Sequence, residues 1–244
     1  MKKILLILLG LGIFSGCTKH ELTLIDSNDC KVIERRENET LENGKEEKIV
    51  QHFKYDNLER ISKVETITED KTLVTTYSYS ENQINVAAPG LKIVYNLNKD
   101  QLIESAVVNE VKKLQFVYNS NKQLVSAQNL TNNRKFNLEY VEGNLTKASV
   151  NETRYSFKYD EYIDFPSFGT ISIEPFNEMF SENGLETAHV LYTSGFLGEK
   201  IKYAISTVIQ MGTDTKLAYV HTNRKATNYI IGNNKSIELL YKCK

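Results

Sequence analysis

The sequence has no tryptophan, only three prolines, three cysteines and four histidines in 244 residues, and its charges nearly cancel, with 30 Lys and Arg against 31 Asp and Glu. Each scarcity removes a class of function. With no basic excess there is little to neutralise a phosphate backbone, so nucleic acid is not expected as a partner. His20, His52, His189 and His221 are scattered, with no H-x-x-x-H pair, so no metal site is expected. The chain has no G-x-S-x-G elbow and no G-x-x-x-x-G-K-[ST] loop, which removes the serine-nucleophile and phosphate-cradling readings and leaves no cofactor implied. Beyond residue 16 no long apolar run remains, so no spanning helix is expected.

What is present begins with a leader. MKKILLILLGLGIFSG combines two lysines, an apolar run and small residues directly before Cys17, the layout of a secretory signal peptide. The junction Phe14-Ser15-Gly16-Cys17 resembles a bacterial lipobox, although Phe14 stands where leucine is usual. That resemblance implies cleavage before Cys17 and acylation of it. One acyl chain anchors marginally, at about 0.8 kcal/mol per buried methylene, whereas three hold firmly. The expected organisation is a leader over 1–16, a tether over 17–28 and one domain over 29–243, joined to the membrane through lipid on Cys17. Thr18 resembles outer-membrane sorting, so the expected location is the cell envelope of a Gram-negative bacterium, at the outer membrane, with the leaflet side open. Cys30 and Cys243 then remain, one near each end of an exported domain where oxidation is permitted. A bridge between them and a pair of free thiols both stand as readings.

The domain is written in a repeated phrase. FKYDNL at residues 53–58 returns as TYSYSENQI, IVYNLNKDQL, FVYNSNKQL and LEYVEGNL. Aligned on tyrosine, the phrase gives Tyr55, Tyr79, Tyr95, Tyr118, Tyr140 and Tyr159. The residues two before them are Phe53, Tyr77, Ile93, Phe116, Leu138 and Phe157, a period of two that puts both side chains on one face of a strand. Turn residues follow, and then an alternating run resumes, so each phrase is the end of a strand, a tight turn and the start of the next. Residues 29 to 160 are predicted to form an antiparallel meander of about a dozen short strands. The rhythm fails over 161–200. There Phe176, Met179 and Phe180 make an i, i+3, i+4 stripe between Pro175 and Gly184, and a second helical turn is predicted from Glu186 to Tyr192, ending near Gly195. YAISTVIQM, TKLAYVHT, ATNYIIG and SIELLYKC then return to strand. The fold class expected is mainly β: a curled antiparallel β-meander, an open or nearly closed barrel-like sheet, with a short helical insert near residues 174–196.

The lipobox, the aromatic-x-Tyr-turn-Leu hairpins, the Pro-Phe insert and the stretch GFLGEKIKYAISTV together resemble the uncharacterised lipoproteins of Gram-negative gut anaerobes grouped as a domain of unknown function with a porin-like fold. The resemblance covers about residues 28 to 243 and implies a curled β-meander with helices packed into it and no known activity. The turn phrase is also similar to the YD repeats of bacterial cell-surface and toxin-shell proteins, but only Tyr55, Asp56, Asn57 and Arg60 approximate their more regular pattern. A barrel in lipid needs an outward apolar band with aromatic girdles. ISKVETIT and RKFNLEYV instead put charge on strand faces, and the chain ends in KCK, so the sheet is expected to face water and to be tethered by lipid.

One cluster carries a catalytic alternative. Tyr159, Asp160, Tyr162, Asp164 and Phe165 pack carboxylates among aromatics where the repeat breaks, a pattern that suits a sugar; strand ends also collect these residues for structural reasons. No catalytic residue is assigned. The chain is expected to be a non-enzymatic binding or structural lipoprotein with a protein or glycan partner. The competing readings are a carrier holding an apolar ligand inside the curled sheet and a glycoside-acting enzyme. Open space behind Phe176, Met179 and Phe180 would favour the first, and two carboxylates facing each other across a groove the second.

Overall fold

The alternating segments form strands, and the strands form one sheet. The computed structural model describes residues 30–164, 176–181, 188–199, 201, 203–223, 226–232 and 234–243. Twelve strands come first: β1 (Cys30–Thr40), β2 (Glu46–Tyr55), β3 (Ile61–Ile67), β4 (Thr72–Tyr79), β5 (Gln83–Ala88), β6 (Leu91–Leu97), β7 (Ile103–Val108), β8 (Val111–Tyr118), β9 (Leu124–Asn129), β10 (Lys135–Val141), β11 (Asn144–Val150) and β12 (Thr153–Asp164). Two short helices follow, α1 (Phe176–Ser181) and α2 (Ala188–Thr193), and then β13 (Tyr203–Gln210), β14 (Thr213–Asn223), β15 (Ala226–Ile231) and β16 (Lys235–Cys243). Each strand pairs with its neighbours in sequence, and β16 returns antiparallel to β1, so the meander closes into a barrel. Strand structure in β12 continues to Asp164, past residue 161, where the sequence rhythm puts the start of the insert.

Period two sorts the side chains by face. Phe53, Tyr77, Ile93, Phe116, Leu138 and Phe157, the residues two before each aligned tyrosine, are all buried. They share one apolar cluster with Phe176, Met179 and Phe180 of α1 and Val190, Leu191 and Tyr192 of α2. In a closed sheet the face that is buried throughout is the inner one, so the helices plug the enclosed space. The three residues of the α1 stripe are at most 2% exposed, and each such side chain taken out of water contributes about 1.5–3 kcal/mol. The outer face reads differently, with Lys54, Thr76, Lys92, Gln115, Glu139, Lys147 and Lys158 exposed along its strands. Large exposed apolar side chains are scattered, and Leu58, Leu130, Val141 and Met211 among them sit at hairpin ends rather than in a band.

The repeated phrase has a geometric job. At β2/β3, β6/β7, β8/β9 and β10/β11 the register shifts at the strand end, leaving Ser62, Glu104, Val125 and Thr146 as extra residues. Such bulges sharpen twist and flare a barrel rim. Adjacent hairpins therefore part there: the β1/β2, β3/β4, β7/β8 and β11/β12 ladders stop at Glu34↔His52, Lys63↔Thr76, Ser105↔Gln115 and Lys147↔Ser156. Three residues beyond each stop a tyrosine hydroxyl crosses the gap to a backbone carbonyl of the neighbouring strand. Tyr55 donates to Val32 O (2.7 Å), Tyr79 to Ile61 O (2.7 Å), Tyr118 to Ile103 O (2.7 Å) and Tyr159 to Leu145 O (2.6 Å). Each hydroxyl satisfies a carbonyl that the ladder has abandoned.

Tyr95 does not belong to this set. The bulge of β6 falls at Asn96/Leu97, so Leu97 holds the phrase position and Tyr95, fully buried, takes the place of the residue two before it. The turns confirm the frame. Asp56, Asn98 and Asn119 follow Tyr55, Leu97 and Tyr118, and each accepts from the backbone N–H groups two and four residues on through one side-chain oxygen. This is the Asx chemistry that turns a chain locally.

Candidate functional site on the tyrosine rim

The bulged ends, the end of β12, the start of β13 and both Cys30 and Cys243 lie on one rim of the barrel, here called the tyrosine rim. The insert returns to the sheet at this rim through GFLGE. Gly195 ends α2 with φ +84°, its N–H donating to Tyr192 O (2.9 Å) while that of Phe196 donates to Leu191 O (2.9 Å), the bond pair of a Schellman close. The next residues enter the gap between β7 and β8. Ile103 N–H, free of its ladder, donates to Phe196 O at 2.8 Å, and Glu199 N–H donates to Lys122 O at 2.9 Å in the β8–β9 turn. Gly198 lies flat on that turn with φ +95°. A Cβ there would sit 2.3 Å from Lys122 O and 3.2 Å from the Tyr118 ring, so no side chain fits without moving backbone.

The same opening makes a groove of about 430 Å³ on the outer side of the rim. Asp100 and Lys122 stand on the two flanking turns, 3.6 Å apart as an ion pair, with Glu104 and Gln115 on the opened strands and Phe116 and Tyr118 also among the lining. The Asn98 and Asn119 side-chain oxygens are committed to their turns, and the Ser105 hydroxyl accepts from Asn96 Nδ2 at 3.0 Å. Burial pushes the Tyr118 hydroxyl far above its ordinary range, so it stays a protonated donor to Ile103; Tyr55 and Tyr79 are raised by the same cause. The groove thus offers both signs of charge, amides and an aromatic wall, a set suited to hydrogen-bonding a polar ligand. Neither histidine nor cysteine is in its lining. Its residues were legible as turn phrases, but their convergence was not, because it depends on where a ladder between two separate hairpins stops.

The residues singled out from sequence are placed as follows. Cys17 and Phe165 lie outside the described residues, as do Pro175 and Gly184. Tyr159 packs partly buried against the core and donates its hydroxyl to Leu145 O. Asp160, Tyr162 and Asp164 share β12 with it, where the register passes from Tyr159↔Ile205 to Asp164↔Tyr203, so residues 160–163 bulge opposite residue 204. Cys30 and Cys243 are direct register partners across the seam. No group of three or more His, Cys, Asp or Glu able to hold a metal occurs among the described residues.

A second polar cluster faces the interior on the seam, toward the opposite rim. Glu37, 7% exposed, is held by Arg35 and by Lys235 Nζ (2.5 Å), and Lys235 also reaches Glu39 at 3.3 Å. Arg35 continues to Gln51 (3.2 Å) and Gln51 to Thr66 (3.2 Å). Burial pulls the Glu37 pKa up, but the two cations outweigh it and hold the carboxyl below its ordinary value. These contacts join β1, β2, β3 and β16, so the cluster ties the first strands of the barrel to the last.

With sheet, plug and rim in place, the comparisons fall into line. Residues 41–238 match DUF4595, the domain of unknown function with porin-like fold. The chain belongs to this family. A porin-like protein from Bacteroides uniformis has a similar structure, with a TM-score of 0.63 at 14% sequence identity, covering 87% of this chain and 98% of that one. This likeness speaks to the fold alone. Among curated proteins nothing matches. In this DUF4595 chain the described strands pack their buried apolar side chains against α1 and α2.

Proposed function

We propose that this DUF4595 chain is a lipid-anchored, water-facing protein of the bacterial outer membrane that binds a polar partner, a glycan or a protein surface, at its tyrosine rim without catalysing a reaction. The observation that carries the reading is the polarity of the barrel: charged and amide side chains along the outer face, and an interior that is apolar around α1 and α2 and whose Arg35–Glu37–Lys235 cluster at the seam is paired. A carrier of an apolar ligand needs the interior that Phe176, Met179 and Phe180 occupy, so that alternative loses its support. The groove at Asp100, Glu104, Gln115 and Lys122 offers polar groups of both charge signs, which supports binding at the rim that the N-terminal segment enters at Cys30. The twelve residues from Thr18 to Asp29 reach at most about 40 Å at roughly 3.3–3.6 Å each, which keeps this rim near the bilayer.

Two experiments test the parts separately. Fractionation of cells making the wild type and Cys17→Ala should move the protein from the membrane pellet to the soluble fraction; retention of the variant in the pellet refutes lipid anchoring. A glycan array and an envelope-extract pull-down, run with the wild type and an Asp100→Asn, Glu104→Gln, Lys122→Ala variant, should show a ligand that the variant loses. A ligand held equally by both proteins places binding elsewhere, and turnover of a glycan would replace the non-enzymatic reading.

A further inference from the structure

The seam that closes the barrel brings together the two cysteines that lie outside the leader junction. Cys30 and Cys243 form the first register pair of the β1–β16 ladder, which runs on to Glu39↔Lys235. Residues directly opposite in an antiparallel ladder share a face, with Cα atoms about 4.5 or 5.5 Å apart depending on the pair type. Both spacings fall in the roughly 4.4–6.8 Å that a disulfide spans. The pairing joins the two ends of the described chain, and no other pair of cysteines is available to the domain.

We propose that Cys30 and Cys243 form a disulfide that locks the barrel seam where the N-terminal segment enters it. The oxidant is a disulfide-bearing thiol-exchange protein. The thiolate of one cysteine attacks that disulfide, forming a mixed disulfide and expelling one oxidant sulfur as thiolate. The second cysteine's thiolate then attacks the mixed disulfide at the sulfur of the first cysteine and releases the other oxidant sulfur. One S–S bond forms in this chain and one breaks in the oxidant, two electrons pass to the oxidant, and the two protons lost from the cysteine thiols balance those taken up by its released thiolates.

The location gives the bond a task. Immediately after Cys30 the ladder is interrupted by a register shift between Val32 and Glu34, while the Glu37 cluster secures only the far half of the seam. Force or thermal motion entering through the N-terminal segment acts on β1 at this end, where only the short ladder from Cys30 to Val32 precedes the register shift, and opening starts at such strand ends. A covalent link at Cys30–Cys243 transfers that load to β16 and keeps the terminal strands from peeling.

The test uses full-length protein purified after free thiols are alkylated at lysis, followed by non-reducing tryptic mapping. The expected product is HELTLIDSNDCK joined to the Cys243–Lys244 dipeptide and lost on reduction, a species that Cys17 does not affect. Recovery of both cysteines alkylated overturns the bond. Hydrogen exchange of a folded Cys30→Ser, Cys243→Ser variant should quicken by about tenfold or more in residues 30–34 and 239–243. Unchanged exchange there, with the bond present in the wild type, overturns the locking role.

Discussion

Replacing Tyr55, Tyr79, Tyr118 and Tyr159 by phenylalanine, singly and together, removes four hydroxyls and leaves four rings. The carbonyls of Val32, Ile61, Ile103 and Leu145 each lose a donor at 2.6–2.7 Å, beyond the last pair of a ladder that has already ended. A neutral hydrogen bond contributes about 0.5–1.5 kcal/mol net, and a carbonyl left dry costs about 1–3 kcal/mol. Val32, Ile61, Ile103 and Leu145 are at most 2% exposed, but the tyrosines beside them are half-buried, so water entering from the tyrosine side recovers part of the loss and about 1 kcal/mol per substitution is expected. The four bonds share no donor or acceptor, so the quadruple variant should lose about 4 kcal/mol, a large part of a typical domain's stability. Urea unfolding followed by circular dichroism, with the slope checked for constancy, measures this directly. A quadruple variant within about 0.5 kcal/mol of the wild type would refute the claim that the repeated tyrosine exists to staple neighbouring hairpins.

Other outcomes follow from the same geometry. Gly198→Ala should destabilise by about 3 kcal/mol or more, from strain at positive φ plus displacement of the Lys122 carbonyl; Gly44→Ala, at φ +78° with open space around it, supplies the strain alone and should cost clearly less in the same urea assay. Phe180→Ala should cost about 3–5 kcal/mol as a cavity in the plug, read as a lowered midpoint in thermal unfolding. Because the folded pKa of Glu37 is depressed, its contribution is fully present above the unfolded value of about 4.3 and is lost as pH falls through the folded value. Glu37→Gln should therefore be less stable at neutral pH and show a shallower loss of stability on acidification, measured by urea midpoints across the acid range.

Local periodicity was enough to read the strands, their inward residues and the helical stripe of the insert; that the insert fills the barrel was only implied by the family resemblance. Phe53, Phe116 and Phe157 declare a face through their spacing, and Phe176, Met179 and Phe180 declare a helix stripe, because both signals sit within a few residues. Tyr95 shows the limit of that reading: aligning on the residue type misplaced the phrase by two, since the position is defined by a bulge and an Asx turn that Leu97 and Asn98 satisfy equally well. Contacts between separate hairpins stayed hidden for a related reason. Tyr55 reaching Val32 and Ile103 reaching Phe196 depend on where ladders stop and on which strands meet, and neither has a signature inside one window of sequence; Cys30 and Cys243 stood in the sequence as either a bridge or free thiols, and the β1–β16 register makes them partners. The groove was missed because it is the by-product of one such stop. Tyr159 shows the other side of the same limit: its aromatic-acidic neighbourhood suggested a binding patch, and what the sequence did not show is that its hydroxyl serves the sheet.

The central claim is that this barrel carries its apolar side within and faces water without. Phase partition in a cloud-point detergent of the domain from residue 29 onward, which removes residues 1–28 and Cys17 with them, tests it most directly. The account predicts a folded, monodisperse protein recovered in the aqueous phase with no detergent needed to keep it there. Recovery in the detergent phase, with aggregation once detergent is withdrawn, would show an outward apolar surface and contradict it.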